Sequence, residues 1–107
     1  MAQSELLIRL DFAKAKAEAA KLDDIADGIA GTLSGDFDPS VDAINQSWKG
    51  ESATAYLNKG EDLREKAECT VKNLRDTAEV IRRIAQNIYD SEMHALEIAR
   101  QRDYESC

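Results

Sequence analysis

Few residues in this chain could do chemistry: one histidine, His94, and two cysteines, Cys69 and Cys107. A catalytic histidine needs a nucleophile or carboxylate held beside it, and a metal-binding one needs further ligands at matching spacing. Nothing of that kind accompanies His94, which fits the surface of a helix. The acids Asp23 and Asp24 are adjacent, so on a helix they point in different directions and form a solvated face. The basic pair Arg82 and Arg83 is read the same way, as a small solvated patch. The chain has no Gly-rich phosphate loop and no Cys/His metal spacing. If both cysteines lie on one helix, their spacing of 38 positions spans roughly 57 Å at 1.5 Å per residue. That is too far for a bridge within one chain. The sequence therefore predicts no enzyme, no metal and no cofactor.

The elements that must position these residues are helical. Of the 107 residues, 43% are hydrophobic, only 6% aromatic and 33% charged, with a single proline. This balance suits long amphipathic helices in one domain, and the β-branched and aromatic runs of a sheet are missing. The net charge of -7 excludes a phosphate-backbone partner as the first expectation, and it disfavours anionic membrane surfaces too. From Met1 to Trp48 there are 9 acids and 4 bases, a net of -5; from Lys49 onward, 12 acids and 10 bases, a net of -2. The N-terminal apolar cluster Leu6, Leu7, Ile8 is cut by Arg9 and Asp11, too short for a signal-peptide core. No stretch approaches the ~20 apolar residues of a membrane span. Taken alone, this places the chain in the cytoplasm unless it leaves by a route that reads folded protein.

Hydrophobic periodicity divides the chain. Ile8, Phe12, Ala15, Ala19, Leu22, Ala26, Ile29 and Leu33 alternate by fours and threes, a heptad stripe on a helix over about residues 4–33. The alanines in mid-stripe let a partner helix approach closely. Asp11, Lys14, Glu18, Lys21 and Asp24 fall on the solvated side. Gly31 and Gly35 then flank a weak stretch, followed by Asp38 before Pro39, a helix-restart signal with Asp as N-cap. The preferred reading is a break with a short helix, about residues 34–47, carrying Val41 and Ile44; the alternative is one long helix kinked at Pro39. A second long helix runs over about residues 52–102, with Ser52 as its cap and a frayed tail at 103–107. Its stripe is Ala53, Tyr56, Gly60, Leu63, Ala67, Thr70, Leu74, Thr77, Ile81, Ile84, Ile88, Ser91, Ala95 and Ile98, flanked by Leu57, Val71, Ala78, Ala85 and Ala99. Three apolar positions per heptad suit a bundle rather than a thin two-stranded coil. Two long helices offer no enclosed pocket within one chain and leave much of such a face uncovered. The fold class is therefore all-α: an antiparallel helix-turn-helix hairpin that dimerises, with itself or a relative, into a four-helix bundle. Leu63, Leu74, Ile81, Ile84 and Ile88 form the expected dimer face.

The turn, residues 48–50, carries Trp48 and Gly50. A tryptophan there can simply plug the end of a helix pair, and W-x-G by itself recurs by chance. Here Trp48-Lys49-Gly50 is followed by the small-residue run Ser52-Ala53-Thr54-Ala55 and by Tyr56, eight residues after the tryptophan. With the chain length, the turn position and the helical periodicity, this resembles the W-x-G proteins of about one hundred residues, the ESAT-six-like group, over nearly the whole chain from Leu6 to about Arg102. The resemblance implies a hairpin with W-x-G in the turn and signal-peptide-independent export, usually in pairs, through a bacterial type VII secretion system. It also implies that the tryptophan end forms part of the surface recognised by the secretion ATPase. Many members carry a tail signal of Tyr, three residues, then an acid. Here Tyr89 is followed by Glu92 at plus three and Met93 at plus four, Tyr104 has no plus-four residue, and His94 has Glu97 and Ile98 at those places. Tyr89 and Glu92 are thus a degenerate version, and a partner can supply the signal instead. The alternatives are a companion of a larger secreted toxin's helical leader and an intracellular coiled-coil adaptor. A membrane-active helix is disfavoured by the acidic charge.

Overall fold

The computed structural model describes the backbone of residues 2–106 and the side chains of residues 4–102. Helix α1 is Ala2–Thr32, a π-helical turn spans Leu33–Phe37, α2 is Asp38–Ser47 and α3 is Glu51–Ser106. No strand occurs among the described residues. α3 begins one residue before Ser52 and continues beyond Arg102. Cys107 and the side chain of Tyr104 lie outside the described residues.

The expected break near Gly35 is not there. Thr32, Phe37 and Asp38 all have right-handed helical dihedrals, and the Asp38 N–H donates to the Leu33 carbonyl, five residues back. The weak stretch widens the helix by one residue per turn instead of ending it. The widening keeps the packed face in register. Half-buried or buried positions run Ile29, Leu33, Phe37, Val41, Ile44, and the steps of four up to Val41 fit a π-turn where an α-helix would drift off the face. Hydroxyls bond back along this stretch: Thr32 donates to the Gly28 carbonyl at 3.0 Å, Ser34 to Ala30 at 3.2 Å and Ser40 to Asp36 at 2.7 Å. Such back-bonding also bends a helix. Asp38 does not cap; its carboxylate faces α3, as described below.

Contacts group the chain into two units, residues 1–21 with 77–107, and residues 22–76. In the first, the N-terminal part of α1 runs antiparallel to the C-terminal part of α3. Ala19 and Ala78 are fully buried, and Ala85 and Leu96 nearly so. Arg100 Nη2 donates to Glu5 Oε2 at 2.8 Å across the pair, and the Phe12 and Tyr89 rings meet with centroids 4.7 Å apart. In the second unit, the end of α1, the π-turn and α2 lie against α3 up to Asp76. Ala26, Leu33 and Ala53 are buried, and Arg75 pairs with Asp27 at 2.9 Å.

The stripe expected on α1 is the packed one: every member from Ile8 to Leu33 is buried or half-buried. On α3 the phase differs. The flanking residues Leu57, Val71, Ala78 and Ala85 face inward, together with Ala53, Gly60, Ala67, Leu74 and Ile81. Tyr56, Leu63, Thr70, Thr77, Ile84, Ile88, Ser91, Ala95 and Ile98 are exposed. A two-helix seam uses about two positions per heptad, so a stripe three positions wide cannot all enter it.

Candidate interaction site

Backbone demands shape the turn first. α2 ends where Trp48 turns extended, φ -121° and ψ 124°, while its N–H still donates to the Ile44 carbonyl at 2.9 Å. Lys49 Nζ donates to the Asn45 carbonyl at 3.1 Å, satisfying an orphan acceptor of the helix end. Gly50 then takes φ 110°, which side chains rarely tolerate. Its carbonyl accepts the Thr54 N–H at 3.0 Å and the Thr54 hydroxyl at 3.1 Å, starting α3. One turn into α3, Tyr56 meets Trp48, with ring centroids 5.8 Å apart and planes at 55°, a favourable tilted pair. That contact accounts for the aromatic eight residues after the tryptophan. Trp48 remains 44% exposed and Tyr56 57%. Beside them α2 and α3 flank a groove of about 340 Å³, lined mainly by Phe37, Val41, Ile44, Tyr56, Leu57 and Leu63, with Lys59 as its one charged member.

In the other unit, Tyr89 is half-buried against Phe12, whose ring also has Lys16 Nζ 5.2 Å from its centroid. Tyr89 is thus engaged in packing its own unit, while Glu92 is exposed. Both line a groove of about 250 Å³ with Ile8, Asp11, Phe12 and Ile88; its charged members, Asp11 and Glu92, are both acidic. Of the expected dimer-face residues, Leu63, Ile84 and Ile88 are more than half exposed. Leu74 and Ile81 are half-buried on the inward row.

The sequence reading missed the ion pairs that cross between helices. Arg64 Nε and Nη2 donate to Asp38 Oδ1 and Oδ2 at 2.8 and 3.0 Å, and Nη1 reaches Glu68. The hydrogen bonds from Arg64 hold the Asp38 carboxyl below its ordinary range, and Asp38 in turn raises the guanidinium. Glu5 is likewise lowered, first by Arg100 and then by Arg9. One signal was available: Arg64 interrupts the apolar row Leu57, Gly60, Ala67, Val71 at heptad spacing.

Among the described residues no cluster of His, Cys, Asp or Glu is arranged to hold a metal ion. None of their helices is long and apolar enough to cross a membrane. His94 and Cys69 are exposed. The family model for proteins of 100 residues with WXG, named WXG100, matches residues 7–93 of the chain. No curated protein and no solved structure matches it.

Proposed function

Because the chain belongs to the WXG100 family, whose small helical members are associated with type VII secretion, we propose that it is exported by such a system, or is a targeting partner in one, and works by protein–protein interaction. Trp48 and Gly50 form the end read by the secretion ATPase, and export needs no signal peptide. The observation that carries the pairing is where the large apolar side chains lie. The fully buried ones are alanines, while Leu63, Ile84 and Ile88 stand 58%, 51% and 52% exposed. Burial of a leucine or isoleucine contributes about 1.5–3 kcal/mol, so a second hairpin completing a four-helix bundle has much to gain. Asp11 and Glu92 in the groove of one unit and Lys59 in that of the other offer a local charge match for a second copy, set against a net charge of -7.

Light scattering of the purified chain tests this. A helical species near twice 11.9 kDa is expected; a stable monomer at high concentration would sink self-pairing. In a host with the secretion system, Trp48→Ala should fold and pair normally yet lose export. Unimpaired export would remove the recognition role. A second reading, a companion of a larger toxin's leader, is favoured by Tyr89: packed on Phe12, it is not free to serve as a tail signal, which a partner would then supply.

A further inference from the structure

We propose that the π-turn and α2 form a latch on α3 that opens as one unit, with the Arg64–Asp38 pair as its catch. α2 has ten residues and none of them is buried. A segment of that length adds little helical stability of its own to the helix it extends. It rests on α3 along a narrow line, where a Cβ on Gly60 would sit 3.7 Å from the Phe37 ring and 3.8 Å from Val41 Cγ2. Grooves of about 340 and 300 Å³ flank that line on either side. Both ends of the segment are pliable. The π-turn contains Gly35 and hydrogen bonds of i to i−5 type, and the far end is the Gly50 turn. Few buried contacts and weak ends are the marks of a segment that opens below the global stability.

The catch can release without stranding a charge. Arg64 is held by Asp38 through Nε and Nη2 and by Glu68 on its own helix through Nη1. When α2 lifts, Arg64 keeps Glu68, and Asp38, already 35% exposed, passes into water. Opening uncovers apolar surface at Val41, Ile44 and Leu57 that the closed segment half hides.

Amide hydrogen exchange of the full chain, followed by mass spectrometry, tests the latch. Amides of residues 36–47 should exchange together, and faster than those of 57–74 in the same molecule. Asp38→Asn should speed the first group about one-and-a-half- to fivefold, the range for one partly exposed ion pair, and leave the second group unchanged. Glu68→Gln should not speed it, because Glu68 holds Arg64 in the closed and the open form alike. Arg64→Lys keeps the charge, loses the planar fork and should fall in between. Equal protection of both groups in the native protein would overturn the proposal. So would equal acceleration of both by Asp38→Asn, or acceleration by Glu68→Gln to the same extent, since either would mark general loss of stability.

Discussion

Gly50 and Gly60 look alike in the sequence but do different work. Gly50 sits at φ 110° with open space around it, so a side chain there costs backbone strain and nothing else. Gly50→Ala should lower stability by about 1–3 kcal/mol, read as a drop in the urea midpoint. Gly60 lies inside α3, where an added methyl would meet Phe37 and Val41 at ordinary contact distance. Gly60→Ala should raise stability by roughly 0.5–1 kcal/mol through helix propensity. Protonation acts at the same scale. Asp38 and Glu5 have lowered carboxyl pKa values in the fold. Their stabilising effect is full above the ordinary carboxylate range, about 3.9–4.3, and is lost as pH falls through the lowered values. The midpoint should therefore hold between pH 7 and 5 as far as these groups are concerned and fall below about pH 4. Asp38→Asn should blunt that fall. Asp38 also shows a limit of reading residues locally. Before a proline it has the signature of a cap, and only the phase of the π-turn, set by residues upstream, turns its carboxylate toward Arg64, 26 positions away.

The helices themselves were largely legible. The α1 stripe from Ile8 to Leu33 was read in its true phase because it runs unbroken along the helix, whereas the other large apolar residues of α1, Leu6, Leu7, Leu10 and Ile25, form no continuous row and are exposed. α3 carries apolar residues at three positions per heptad, and periodicity alone does not say which two face α1. The row of Leu57, Val71, Ala78 and Ala85 wins because its alanines let the helices come close, whereas Leu63 and Ile84 would hold them apart. This assignment can be tested. Ala78, fully buried, should not accept Leu: Ala78→Leu overpacks the seam at a cost of about 1–3 kcal/mol. Its neighbour Thr77 is exposed, and Thr77→Leu should leave the melting temperature of the unpaired chain nearly unchanged. The π-turn was not legible, since Gly31, Gly35 and Pro39 are as compatible with a break as with a widened turn. The packed phase of Leu33, Phe37 and Val41 goes with the widened turn.

For the whole molecule, the two rows of α3 separate folding from assembly. Ile81→Asp places an unpaired charge on the inward row, which is costly, and should lower the helicity of the chain at any concentration. Ile84→Asp places it on the exposed row and should leave the helicity of a dilute sample intact while abolishing the larger species in light scattering. Loss of helicity by both variants would mean that the chain folds only when paired. The net charge of -7 opposes self-association, and salt should therefore strengthen it by screening.

The alanine seam has a calorimetric consequence. Heat capacity rises by about 0.45 cal/K/mol for each Å² of apolar surface exposed. Ala19, Ala26 and Ala78 hide little such surface. Unfolding of the dilute chain should therefore show a heat-capacity increment below the usual ~12–15 cal/mol/K per residue and a shallow transition. The missing increment should appear on association, when the leucine and isoleucine row is covered. Cooling would then weaken the pair before it weakens the hairpin.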